Sequence, residues 1–141
     1  MLNPSGKTFS FQHDNLTLTK LRLKLLGRHQ TANACLAIMT AQLLTKTFPN
    51  ISPKSIQRGI EATTWPGRSE LIRPNLLLDG AHNPDSIAKL KCLLQEEFPN
   101  RHIHILFAGL KRKPLADLLA QLEPFDISVT CLLYTSPSPR D

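Results

Sequence analysis

The 141-residue sequence has few of the features that mark the simplest functional classes. It has only three cysteines, at positions 35, 92 and 131, with no CxxC pair. That excludes a secreted disulfide framework. No apolar run approaches the length of a membrane span. The first residues lack the apolar core of a signal peptide, so a cytoplasmic location is the expectation. Aromatics make up 6% of the chain, with one Trp and one Tyr. The formal charge is +6, yet the basic residues are scattered through Lys20-Arg22-Lys24, Arg101-His102-His104 and Lys111-Arg112-Lys113. None of these clusters is a long block or carries interleaved aromatics, so neither nucleic acid nor a membrane is an expected partner. Basic side chains around a phosphate-bearing ligand explain the charge equally well. No GxxxxGK[ST] run is present, although Gly6-Lys7-Thr8 imitates its end, and no acidic cluster suggests a Mg²⁺ site.

What is present is organised around one stretch. Trp65-Pro66-Gly67-Arg68 is followed, after a short gap, by Asp79-Gly80-Ala81-His82-Asn83-Pro84. Leu76–Leu78 reads as a short buried strand ending in a carboxylate, and Asn83-Pro84 as an N-cap followed by the first helical residue. Asp79 and His82 therefore fall on a loop between a strand end and a helix start, the edge where open α/β sheets bind ligands. Gly67 before Arg68 suggests a tight turn holding a guanidinium, a fork of donors suited to phosphate or carboxylate. The plain alternative is an ordinary βα unit with a surface arginine and a capping aspartate.

Upstream, Phe9 and Phe11 hint at a brief strand. Leu16, Leu18, Leu21, Leu23 and Leu25 alternate, with one slip near Thr19, as at a bulge or a turn between strands. From Thr31 to Phe48 the period becomes helical. Ala34, Ala37, Ile38, Ala41 and Leu44 share a face that Leu36, Cys35 and Met39 widen, which predicts a deeply packed helix. His29 and Asn33 flank its first turn, where free N–H groups favour anions or polar ligands; simple capping accounts for them as well. Ser52-Pro53 opens a second helix carrying Ile56 and Ile60 and ending near Ala62.

Beyond residue 69, Glu70–Arg73 and Leu76–Leu78 are separated by Pro74-Asn75, a hairpin or two consecutive strands. A helix after Pro84 carries Ile87, Leu90, Leu94 and Phe98. A buried strand spans His102–Ala108, a basic loop covers Gly109–Lys113, and a helix starts at Pro114 with Leu115, Leu118, Leu119 and Leu122 inward. A third strand starts at Asp126. Strand, helix, strand, helix, strand is a parallel doubly wound pattern. The Ser/Pro-rich stretch 131–141 fits nothing before it and reads as a non-native tail joined to a truncated frame.

Three ordered runs carry a family resemblance. Leu26-Gly27-Arg28-His29-Gln30-Thr31-Ala32-Asn33-Ala34, Trp65-Pro66-Gly67-Arg68-Ser69-Glu70 and Leu78-Asp79-Gly80-Ala81-His82-Asn83-Pro84 together resemble the folylpolyglutamate synthase/dihydrofolate synthase family of the Mur ligase group. The resemblance runs from about Gly6 to Thr130. It implies an α/β fold, with residues 1–64 closing a P-loop-type central ATPase domain and residues 65–130 opening a Rossmann-like C-terminal domain. It also implies an ATP-dependent ligase joining L-glutamate to a folate or dihydropteroate, with the Mg²⁺ ligands in a preceding part of the protein and a monomeric parent. By the same resemblance, Asn33 contacts adenine, with His29 and Gln30 beside the nucleotide. Arg68 reaches the ATP phosphates, Asp79 meets the nucleotide sugar, and His82 lies near the phosphates and the incoming amino acid. Arg68 and His82 are the implied catalytic residues. Lys113 corresponds to the lysine of the family's next strand-end loop, but Arg112 stands where the family has an acidic residue. The segment alone is expected neither to ligate nor to fold tightly. Rival readings are a free-standing nucleotide- or phosphate-binding α/β module, another Mur-type amide ligase, and a small nucleic-acid-binding protein.

Overall fold

The computed structural model describes residues 8–109, 115–123 and 125–133. They divide into two compact units, Met1–Gly80 and Ala81–Asp141. The Gly6-Lys7 pair, Arg112, Lys113, Pro114 and most of the terminal stretch lie outside the described residues.

In the first unit, β1 (Thr8–His13) pairs antiparallel with β2 (Leu16–Arg22). The predicted slip near Thr19 is a bulge: Phe9 faces Leu21 and Phe11 faces Leu18, so Thr19 and Lys20 together oppose Ser10. Lys20 takes a positive φ of 56° to accommodate the extra residue. The bulge keeps Leu16, Leu18 and Leu21 on one face, and all three are buried. Two helices cover that face, α1 (Arg28–Leu44) and α2 (Pro53–Ala62). Phe11, Leu16, Leu18, Leu21, Ile38 and Ile56 form the core, with Cys35, Ala41 and Ile60 packed around it. α2 starts on a reciprocal cap. The Ser52 hydroxyl accepts from the Ser55 N–H at 3.2 Å, and the Ser55 hydroxyl accepts from the Ser52 N–H at 2.8 Å.

α1 starts three residues before the expected point, because Gly27 takes a φ of 97° and lets the chain turn directly into the helix. Its covered stripe is narrower than the sequence suggested. Gln30, Ala34 and Ile38 are buried, but Ala37, Leu36, Met39 and Leu44 are exposed. The hairpin is two strands wide and shields one side of the helix only.

β3 (Glu70–Arg73) and β4 (Leu76–Leu78) form an antiparallel hairpin through Pro74-Asn75. β4 is not the buried strand expected: Leu76 and Leu78 are each 48% exposed. Nor does it join a parallel sheet, since β3 is its sole partner among the described residues.

The second unit contains α3 (Pro84–Glu97), β5 (Ile103–Gly109), α4 (Leu115–Ala120) and β6 (Ile127–Leu133). Asn83 and Pro84 open α3 as expected. The Asn83 Oδ1 accepts from the Ser86 N–H at 2.8 Å, and the Ser86 hydroxyl accepts from the Asn83 N–H at 3.0 Å. β5 and β6 run parallel, in register from Ile103↔Ile127 to Gly109↔Leu133. The strand thus continues three residues past Thr130, where the terminal stretch was expected to depart from the fold. Ile87, Leu93, Leu94, Leu118 and Leu122 are buried. Cys92 is exposed, and all three cysteines are free thiols. Among the described residues no helix is long and apolar enough to cross a membrane.

Candidate functional site

The expected site residues fall in three places. The first is the start of α1. The helix has no capping side chain and no acidic residue in its first turn, so its leading N–H groups and positive dipole end are not offset by a local carboxylate. His29 is half-buried, and Gln30 is 3% exposed. The Gln30 side-chain oxygen accepts from the Asn33 amide at 3.0 Å, while its own buried Nε2 makes no hydrogen bond. Gln30 thereby holds the amide of the exposed Asn33 on the outside of the helix.

The second place is the Arg68 turn, where the backbone is tied at every donor. The Arg68 N–H reaches the Trp65 carbonyl at 3.3 Å, and the Gly80 N–H reaches the Gly67 carbonyl at 2.8 Å. The Gly67 N–H donates to Glu70 Oε2 at 2.8 Å. Both the N–H and the hydroxyl of Ser69 donate to Asp79 Oδ2, each at 2.7 Å. Gly67 has a φ of 71° and Ser69 a φ of 46°. A non-glycine residue in this left-handed region costs roughly 1–2 kcal/mol, which the two short bonds to Asp79 offset. Ser69 is buried, Arg68 projects outward, and its guanidinium lies 5.7 Å from the centre of the Trp65 ring.

A cleft of about 620 Å³ lies beside this turn. One wall is the chain from Arg22 to Leu26, which ends one residue before the Gly27 cap of α1. The other contains Trp65, Arg68 and Ser69. Arg22, Lys24 and Arg68 outnumber Glu61 and Glu70 along it, which favours an anion.

The third place is the loop after β4. Asp79 follows the strand end, as expected, and is tied to Ser69. His82 falls in the second unit, exposed, with its N–H donating to the Ser86 hydroxyl at 3.0 Å. Among the described residues no three His, Cys, Asp or Glu side chains are grouped to hold a metal ion. Sequence reasoning missed Ser69 and Glu70, which shape the turn. The positive-φ demand of Gly67 was the signal for a turn, but the partner of Ser69 lies ten residues away, beyond any local pattern.

No family model matches the chain. A dihydrofolate synthase/folylpolyglutamate synthase of Bacillus subtilis is 37% identical over 123 residues, covering 85% of this chain and 29% of that protein. A UDP-N-acetylmuramoyl-L-alanyl-D-glutamate–L-lysine ligase of Streptococcus agalactiae is 29% identical over 134 residues, covering 89% of this chain and 27% of its own length. The structure of a Mycobacterium tuberculosis folylpolyglutamate synthase complexed with ADP superposes with a TM-score of 0.74 at 30% identity. That match covers 96% of this chain and 30% of the other. The chain thus spans less than a third of the length of each protein it matches here.

Proposed function

We propose, from the premise that over the segment it spans this chain belongs to the folylpolyglutamate synthase/dihydrofolate synthase family of Mur-type ligases, that it is the nucleotide-facing part of an ATP-dependent ligase adding L-glutamate to a folate or dihydropteroate. In this reading residues 1–64 belong to the central ATPase domain and residues 65–130 to the start of the C-terminal domain. The whole protein acts as a cytoplasmic monomer.

ATP phosphorylates the acceptor carboxylate, releasing ADP. The glutamate amine attacks the acyl phosphate, the carbon–oxygen bond breaks, and phosphate leaves with formation of the amide. Little of this asks for covalent chemistry by the protein; it asks for positioning and for stabilisation of charge. Arg68 supplies a planar fork of donors to the transferring phosphoryl group. Asn33, held outward by Gln30, meets the adenine edge beside His29, and Asp79 meets the sugar. His82 acts at the phosphates and the incoming amine. Mg²⁺ would neutralise phosphate charge, but the residues described here supply no site for it, and its ligands belong to a preceding part of the protein.

The observation that supports this reading best is the Arg68 turn, an outward-facing guanidinium on a backbone tied at every donor. A second reading, another Mur-type amide ligase, draws on the muramyl-peptide ligase relative. The test is phosphate release from ATP by the whole protein that depends on the added amino acid, L-glutamate with dihydropteroate or a folate as acceptor and L-lysine with a UDP-muramoyl peptide. Turnover with either pterin acceptor supports the proposal. Turnover with the muramoyl peptide alone supports the second reading. The 141-residue chain by itself, lacking GxxxxGK[ST], is expected to give none.

A further inference from the structure

We propose that Asp79 and Ser69 are positioning residues, a latch that holds the Gly67–Ser69 turn in its left-handed geometry and so presents Arg68 to a phosphate-bearing ligand. The inference rests on the reading of Arg68 as a phosphate contact. Three observations carry it. Ser69 is a non-glycine residue with a φ of 46°, a conformation that persists where surrounding structure fixes it. It is 4% exposed, so its N–H and hydroxyl need partners inside the protein. Both find the same oxygen, Asp79 Oδ2, at 2.7 Å. A carboxylate oxygen has lone pairs for two such donors, and bonds to an ionised acceptor are the strong ones.

The latch closes from both ends. Gly80, next to Asp79, donates its N–H to the Gly67 carbonyl at 2.8 Å, and Glu70 holds the Gly67 N–H. Arg68 is thus the one residue of the turn whose side chain points outward while both neighbours are tied inward. Releasing Asp79 frees the Ser69 backbone to leave the left-handed region, and the point from which the Arg68 side chain projects is then no longer fixed. Affinity for a phosphate falls because the turn must be reordered on binding.

The sign of the effect separates a latch from a simple charge. Asp79 carries a carboxylate and is bonded to the residue that follows Arg68. If it acted on a bound phosphate through its charge alone, its removal would strengthen binding of an anion. A latch gives the opposite result. Asparagine in its place keeps an acceptor oxygen for Ser69 and drops the charge, so it retains the latch.

The test uses the whole protein, with amide hydrogen exchange at residues 67–69 and calorimetric titration with inorganic tripolyphosphate. Exchange in α2 serves as the internal check that each variant is folded. Asp79→Ala is expected to speed exchange at residues 67–69 about tenfold or more and to weaken tripolyphosphate binding about five- to tenfold. Ser69→Ala is expected to show a smaller change in the same direction, and Asp79→Asn to restore slow exchange. Unchanged exchange in Asp79→Ala, or tighter tripolyphosphate binding in Asp79→Ala and Asp79→Asn alike, overturns the latch. Tripolyphosphate affinity unchanged in Arg68→Ala overturns the Arg68 reading instead, and the exchange data then decide the latch by themselves.

Discussion

Replacing Ile38 by alanine tests how the first unit holds together. Ile38 is fully buried, at 0% exposure, on the face of α1 that meets Phe11, Leu18 and Leu21. Ile38→Ala removes three carbons. At about 0.8 kcal/mol per buried methylene the lost transfer energy is about 2.4 kcal/mol, and a residual cavity brings the cost to about 3 kcal/mol, within the usual range for such changes. The control is Leu36→Ala on the same helix, where the side chain is 64% exposed; it is expected to cost no more than about 0.5 kcal/mol. The two compact units make a single unfolding free energy ill-defined, so the assay is amide exchange in β1 and β2. A loss of 3 kcal/mol raises exchange there roughly a hundredfold. Equal effects of Ile38→Ala and Leu36→Ala would refute the reasoning, because the exposed stripe of α1 would then be packed against something as firmly as the hairpin packs its inner face.

Asn83→Ala removes one half of the cap of α3 and is expected to cost about 1 kcal/mol, visible as faster exchange in the first turn of that helix. Gly67→Ala meets no atom within 4 Å of the added carbon, so its cost is backbone strain alone, about 1 kcal/mol at a φ of 71°; faster amide exchange at residues 67–69 measures it. Arg68→Lys keeps the charge but not the planar fork, and in the whole protein it is expected to lower ATP-dependent turnover about as much as Arg68→Ala, roughly tenfold or more.

Local chemistry was legible in the sequence where a single residue type carries a geometric demand. Ser52-Pro53 and Asn83-Pro84 announced their helices, and the slip in the leucine alternation at Thr19 announced an irregularity, a bulge or a turn, which pairing resolves as a bulge. The position of Asp79 between a strand end and a helix start was read from the same kind of signal. Burial was less legible, because it depends on what lies opposite. Leu36 and Leu44 continue the apolar stripe of α1, yet the two-stranded hairpin beneath covers one side only. Leu76–Leu78 looks like a core strand by composition, but its partner is the four-residue β3, and both ends of β4 stay half exposed. Around the candidate site, the placement of Asn33 at a helix start and of Asp79 after a strand end was legible, while the bonds of these residues were not. Gln30 appears in sequence as a polar residue at a helix start, and its burial against Asn33 follows from the turn at Gly27. Ser69 carries no signal of its own until the chain returns at Asp79.

The central claim is that the start of α1 and the Arg68 turn serve one nucleotide. Hydrogen exchange on the whole protein, with and without ATP, tests it most directly. The account expects ATP to slow exchange at residues 28–33 and 67–70 together, and the Asn33→Ala and Arg68→Ala variants each to weaken the protection at both. Protection confined to one of the two segments, or protection that survives both substitutions, would contradict it.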